Sequence, residues 1–395
     1  MKKKILFING NLRAGGVEMA LVNLLNCIDP MKFDIDLLLL QKGYDYESML
    51  PNNINVIKID LDEAQGSIFN SVLRNIRRKD LICVSYRILN ILAKNISKKF
   101  FQLLPLGQFI KPKYDAVIAF RPGICADIAL YKSKSGVKTC WWHHGNLEIG
   151  TPFEDIKKQL SEFDQVITVG TGIKELLSKK FNEISTKLDI IPNIVDTETI
   201  TSKSIEHNPY PAFSDTNNNF TIVTVSRLSK EKNVAKAIEV ADTLRRKGVK
   251  FKWHIIGDGD CKSEIIQRIK RYELESYIIM EGNQSNPYPW IKNADLMVHL
   301  STVESFGLVI LEAIVLKVPC IAVESIGAIE LLGQRSNLLT KNDSNIIADK
   351  IISIINKSNK ERQLIVEANN DILKKYTPQR VSEIFNHKFY DKTDL

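Results

Sequence analysis

The sequence predicts an α/β protein made of two doubly wound, parallel domains, and three observations carry that prediction. Short apolar runs alternate with segments of helical period in two successive series, the signature of parallel α/β layering. The stretch Asn208-Pro-Tyr-Pro-Ala-Phe-Ser-Asp-Thr-Asn-Asn-Asn219 between the series is turn and linker chemistry. A length of 395 residues is also too great for one ordinary core.

In the first series, strands are expected at 5–9, 34–40, 56–59, 116–120, 138–142, 165–169 and 188–191. Helices fall between them, for example at 17–26, 155–162 and 173–180. In the second series, strands at 221–225, 252–257, 278–281, 296–300 and 319–323 alternate with helices at 234–247, 263–272 and 306–316. From Lys341 onward the chain reads as helical, with a late helix after Pro378. Two such domains would place a ligand at the carboxyl ends of their strands, in a central cleft between them.

Composition narrows the class. Apolar residues make up 44% and charged residues 25%, ordinary values for a globular protein. The six cysteines are scattered without a Cys-x-x-Cys pair, which points to a reducing compartment and away from disulfide frameworks and zinc sites. Met1-Lys-Lys-Lys-Ile-Leu-Phe-Ile reads as a first strand rather than a leader, because its apolar run stops after Ile8. No apolar run is long enough to cross a bilayer, so a cytoplasmic protein is expected.

The formal charge of +8 is unevenly spread. Ten basic residues lie between Arg74 and Lys113, opposed only by Asp80 and interleaved with apolar residues. Such a basic amphipathic segment suits an anionic membrane surface. It equally suits a helix that packs its apolar stripe on the domain and solvates its lysines. Nucleic acid is a poor partner, since no recognised nucleic-acid module accompanies the charge.

Four strand ends carry candidate chemistry. The first runs Asn9-Gly-Asn-Leu-Arg-Ala-Gly15-Gly16-Val-Glu18, where paired glycines would let backbone approach a phosphate at a helix start; the Gly-x-Gly-x-x-Gly fingerprint is absent. Trp141-Trp-His143-His144-Gly145 offers an imidazole for a sugar hydroxyl or for proton movement. Val225-Ser-Arg227-Leu-Ser-Lys230-Glu-Lys232-Asn233 offers two cations suited to a diphosphate. Gly282-Asn283-Gln-Ser-Asn286-Pro-Tyr-Pro-Trp290 offers loop backbone and an aromatic ring, whereas Gly257-Asp-Gly-Asp260 reads as a turn.

The most informative stretch is Glu304-Ser-Phe-Gly-Leu-Val-Ile-Leu-Glu312. The first carboxylate is expected where strand becomes helix and the second two turns into that helix, which separates them by about 12 Å along the axis. Two carboxyl groups flanking one glycosidic bond lie about 5 to 9.5 Å apart. The spacing instead suits a long ligand touched at two places, with an anion over the helix amides.

Taken together and in this order, these motifs resemble the retaining glycosyltransferases of family 4, which have the two-domain GT-B fold of two Rossmann-like domains. The resemblance covers nearly the whole chain and is nearest the branch that builds bacterial capsular and other surface polysaccharides. It implies an acceptor-side domain over 1–196, a linker over 197–219, a nucleotide-sugar-binding domain over 220–376 and a C-terminal helix over 377–395 that crosses back.

By that resemblance, Gly15 and Gly16 would approach the donor diphosphate or sugar, with His144 near the sugar. Arg227 and Lys232 would bind the diphosphate, and Glu304 the sugar hydroxyls. Phe306, Gly307, Leu308 and Val309 would offer backbone to the phosphates, Glu312 would hold the ribose, and Gly282 and Asn283 would lie near the base. The implied donor is a UDP-sugar, no metal is required, and the acceptor is an oligosaccharide or lipid-linked saccharide, with peripheral association at the inner membrane face. Two departures stand out: Ser305 replaces the family's usual glycine, and the later Gly-x-x-Glu region survives only as Gly327-Ala-Ile-Glu330. A UDP-sugar epimerase of the same architecture and a non-catalytic two-domain sugar-binding protein are the competing readings. A dinucleotide-dependent oxidoreductase is weaker, because no glycine fingerprint follows any strand.

Overall fold

The computed structural model describes residues 1–13, 15–61, 75–76, 80–95, 103, 110, 113–133, 135–147, 152–210 and 220–391. The chain divides into two compact units, Met1–Ile194 together with Pro378–Leu395, and Val195–Thr377.

The first unit is built on a parallel sheet of β1 (Lys3–Asn9), β2 (Phe33–Leu39), β3 (Asn55–Lys58), β4 (Tyr114–Ala119), β5 (Ser135–Trp142), β6 (Gln165–Thr168) and β7 (Leu188–Ile190). Their order across the sheet is β3-β2-β1-β4-β5-β6-β7. The run Ile5, Leu6, Phe7 and Ile8 is wholly buried, as expected of a central strand covered on both faces. Helices Gly16–Cys27, Ile124–Tyr131, Phe153–Ser161 and Thr171–Lys180 connect strands of this sheet. Helix Leu81–Asn95 also belongs to this unit, and most of the basic segment Arg74–Lys113 around it lies outside the described residues.

The second unit repeats the plan with β8 (Phe220–Val225), β9 (Phe251–Ile256), β10 (Ile278–Gly282), β11 (Leu296–His299), β12 (Cys320–Val323) and β13 (Leu339–Thr340). Their order is β10-β9-β8-β11-β12-β13, again parallel, and β8 pairs β9 through Ile222 and Trp253 and β11 through Ile222 and Leu296. In each sheet the order reverses beside the first strand, between β1 and β4 and between β8 and β11. That reversal opens a crevice at the carboxyl ends where doubly wound proteins bind ligands.

Three features differ from expectation. Residues 197–203, read as the start of a linker, form a helix, because Asp196 caps it by accepting from the Thr199 N–H at 3.0 Å. Residues 211–219 of the expected linker lie outside the described residues. The helix Ile326–Leu332 and the two-residue strand β13 were not anticipated, both being too short to show a period. The helical region after Lys341 breaks into Ser344–Ile355, Asn359–Glu367 and a final helix, Pro378–Asn386. That last helix returns to the first unit, where buried Phe385 packs on Phe7 and Phe33 with ring centroids 6.3 and 5.4 Å away.

Candidate active site

In the second unit the loops after β8 and β11 flank the reversal point and are tied together. The Thr302 N–H donates to the Glu231 carbonyl at 3.1 Å, and the Asn233 side-chain amide donates to the Leu300 carbonyl at 3.3 Å. Beneath the first loop lies the Gly257-Asp-Gly-Asp260 turn. Gly257 has φ +140°, and a Cβ there would stand 1.9 Å from the Ser226 carbonyl oxygen. Only glycine lets this stretch pass so close to the Ser226 carbonyl, and it forms a turn, as the sequence indicated.

These loops assemble an ionic cluster. Lys232 Nζ donates to Glu304 Oε2 at 2.7 Å, and His299 Nε2 stands 3.2 Å from the same oxygen. The His299 and Glu304 side chains are only 3% and 12% exposed. Burial works against the charge on Glu304, yet the contact with His299 and the Lys232 ammonium outweigh it and hold the carboxyl down at about 2. Arg227 lies exposed on the first loop and makes no ion pair among the described residues. A carboxylate fixed in its ionised form thus sits beside one engaged cation, Lys232, while the Arg227 charge acts on Glu231 of the same loop.

Glu304 precedes the helix rather than opening it. The helix runs Leu308–Val315 behind Gly307, at φ +90°, with no side chain capping its first turn. The amides of Leu308 and Val309 therefore begin a helix with their donors uncommitted within it. Phe306 is buried against Tyr376, their rings 5.0 Å apart at 86°. Gly327 shores up the turn from below: its N–H donates to the Glu304 carbonyl at 2.9 Å, and a Cβ would stand 2.5 Å from the Phe306 carbonyl oxygen. The partial Gly-x-x-Glu motif is in this way a support for Glu304. Because the helix starts at Leu308, the rise-based separation of Glu304 and Glu312 does not hold over the whole stretch. Glu312 is its fifth residue, half-buried, and loss of water pushes its carboxyl up to about 7.

Gly282 ends β10, and Asn283 follows it, exposed. Two strand spacings separate β10 from β8, about 10 Å, so these two residues stand along the same sheet edge, away from the ionic cluster.

In the first unit, Gly15 and Gly16 open helix Gly16–Cys27 after β1. A Cβ on Gly15 would meet Glu18 Oε2 at 2.6 Å, whereas one on Gly16 would meet nothing within 4 Å. Glu18, buried, pairs with Arg121, which follows β4 across the reversal point. His144 is half-buried, and burial, with Arg121 second, lowers its pKa to about 4. His143 is buried deeper, its ring 4.5 Å from that of Phe120, and Nε2 has no hydrogen-bond partner among the described residues. Burial, Arg121 and His144 keep it neutral.

Three residues of these clusters escaped the sequence reading: Glu18, Arg121 and His299. Glu18 reads as an ordinary first-turn acid, and Arg121 as a loop charge before Pro122. The available signal was position, since each of the other two stands at or just past the carboxyl end of a strand next to a reversal point.

Residues 211–371 match the family model described as Glycosyl transferases group 1. A poly(ribitol-phosphate) alpha-N-acetylglucosaminyltransferase of Staphylococcus aureus is 28% identical over 162 residues, covering 40% of this chain and 33% of that enzyme. The chain therefore spans about a third of the length of that relative. A Campylobacter jejuni N-acetylgalactosamine-N,N'-diacetylbacillosaminyl-diphospho-undecaprenol 4-alpha-N-acetylgalactosaminyltransferase is 24% identical over 334 residues, 84% of each chain. Among solved structures, Anabaena HepE in complex with UDP superposes with a TM-score of 0.70 at 17% identity, covering 98% of this chain and all of that one. The fold is thus the expected GT-B pair of Rossmann-like α/β domains, and the match to the glycosyltransferase group 1 model falls on the second unit.

Proposed function

We propose that this chain, with its glycosyltransferase group 1 domain, is a retaining glycosyltransferase that moves a sugar from a UDP-sugar to a saccharide hydroxyl in surface polysaccharide or glycoconjugate synthesis. The observation that carries the reading is the cluster at the second unit's reversal point: an ionised Glu304 held by Lys232, with Arg227 exposed on the same loop as Lys232. Arg227, Lys232 and the uncapped amides at 308 and 309 are suited to a diphosphate. Glu304 accepts hydrogen bonds from sugar hydroxyls, and Glu312 is suited to the ribose hydroxyls. Gly282 and Asn283, further along the edge, suit the base.

In the reaction proposed, the bond from the sugar's anomeric carbon to the β-phosphate oxygen breaks and a bond to the acceptor oxygen forms on the same face. The acceptor's proton passes to an oxygen of the departing diphosphate. Negative charge grows on that diphosphate, and Arg227 and Lys232 stabilise it in place of a metal ion. In the first unit, His144 is kept neutral by burial and suits a hydrogen bond to the sugar, with Gly15 and Gly16 offering close backbone approach.

The acceptor side of the reading is a saccharide on a membrane lipid. No described helix is long and apolar enough to cross a membrane. Helix Leu81–Asn95 nonetheless exposes Leu81 and Ile88, seven residues apart on one face, within the basic segment. Flotation with anionic and neutral liposomes tests this; equal recovery with both removes the electrostatic part.

The function is tested by screening UDP- and GDP-sugars for binding and slow hydrolysis, with Arg227→Ala and Lys232→Ala alongside. Binding of a UDP-sugar that both variants weaken is the expected result. No nucleotide sugar bound, or transfer unchanged in both variants, contradicts the reading.

A further inference from the structure

His299 stands out in its own strand. β11 reads Leu296-Met297-Val298-His299 and continues into Leu300, and every residue of it is buried. A polar ring in such a strand costs free energy unless its nitrogens are engaged. Nε2 stands 3.2 Å from Glu304 Oε2 but off the line of a full hydrogen bond, and has no other partner among the described residues. Contacts of this kind in a free enzyme are often misaligned and tighten only when substrate binds.

Two further facts bear on the role of the ring. Lys232 and His299 both approach Oε2, and among the described residues nothing bonds Oε1. Lys232 is also one of the two cations assigned to the diphosphate in the reading above, on which this inference rests. Once Lys232 is drawn toward a diphosphate, Glu304 loses its main partner while still needing a fixed position and a satisfied oxygen.

The geometry points to His299 as the positioning residue that holds Glu304 on the donor sugar when Lys232 turns to the diphosphate. Its Nε2–H straightens onto Oε2, and Oε1 remains available to sugar hydroxyls. His299 itself touches neither sugar nor phosphate. The hand-over lets one lysine keep the empty site charge-balanced and then serve the leaving group.

Two polar substitutions separate this role from a merely structural one. Glutamine places its amide nitrogen near the position of Nε2, whereas asparagine reaches only as far as Nδ1. The experiment compares wild type, His299→Gln and His299→Asn for thermal midpoint, UDP affinity, UDP-sugar affinity and transfer kcat and KM. His299→Asn should keep UDP affinity and the thermal midpoint while losing kcat about 10- to 100-fold, the scale of a hydrogen bond to a charged group. It should also lose the difference in affinity between UDP-sugar and UDP, and His299→Gln should restore most of both. Transfer unchanged in His299→Asn overturns the inference alone. So does an equal loss in both variants, or a loss of UDP affinity that follows the thermal midpoint. Wild type that binds no nucleotide sugar overturns both this inference and the function it rests on.

Discussion

The two units share a strand order around their reversal points, yet they place opposite chemistry there. In the second unit a carboxylate is held ionised at about 2 beside Lys232, and Arg227 is exposed on the loop that carries Lys232. In the first, Glu18 pairs with Arg121, and the two neighbouring histidines are kept uncharged by burial first and by the Arg121 charge second. One fold therefore yields a charged edge and a neutral, hydrogen-bonding edge. The difference lies in a few side chains at strand ends, which is why topology alone does not reveal function.

The largest expected effect breaks the charged edge. Lys232→Ala removes the cation proposed to stabilise the leaving group and takes from Glu304 its 2.7 Å partner, so kcat should fall about 10²- to 10³-fold, the scale of losing one transition-state donor. Steady-state kinetics with a UDP-sugar and saccharide acceptor measures it. A loss confined to KM would place Lys232 in uniform binding instead.

Next is a contrast within one motif. The folded-state pKa of Glu312 is raised from 4.5 to about 7, so both states are protonated below about 4.5 and folding resists ionisation above it. Its penalty grows between about 4.5 and about 7, reaching on the order of 3 kcal/mol above that. Glu312→Gln should therefore be more stable than wild type at pH 8 and indistinguishable near pH 4. Glu304 has the opposite sign. Its pKa is lowered from 4.5 to about 2, so its stabilisation is present above 4.5 and lost as the pH falls toward 2. Glu304→Gln should cost stability at neutral pH, and that cost should vanish on acidification. Thermal midpoints across pH for both variants decide whether the two carboxylates differ in this way.

A smaller effect probes the scaffold. Gly327→Ala places a Cβ 2.5 Å from the Phe306 carbonyl oxygen and should cost about 1 to 3 kcal/mol, with transfer falling more than the stability loss alone implies. The smallest concerns the neutral edge. Arg121→Leu removes the second cause of the depressed His144 pKa, so that value should rise from about 4 while staying below the usual histidine range, because burial remains. Histidine ring resonances followed against pH report it.

Much of this contrast was legible before any coordinates. The strands were readable because parallel-sheet strands are continuous apolar runs, as in Ile5–Ile8 and Leu296–Leu300. Arg227, Lys232, Glu304 and Glu312 were readable as charges punctuating such runs. Less was visible where significance depends on partners distant in sequence. Glu18 meets Arg121 across 103 residues, and Lys232 meets Glu304 across 72, so neither pairing shows in local pattern. His299 was hidden differently: in a buried strand, one polar residue reads as noise until the carboxylate it faces is known. The start of the helix at Leu308 was misplaced because Phe306 and Gly307 continue the apolar run while forming a turn.

The proposed function depends above all on the charged edge of the second unit binding a nucleoside diphosphate. Calorimetric titration of UDP, with EDTA present, into wild type and the Arg227→Ala/Lys232→Ala double variant tests it most directly. Wild type should bind without metal, and the double variant should bind at least about 100-fold more weakly, the scale of two lost charge-assisted contacts. Equal affinity in the two proteins, or no UDP bound by wild type, would contradict it.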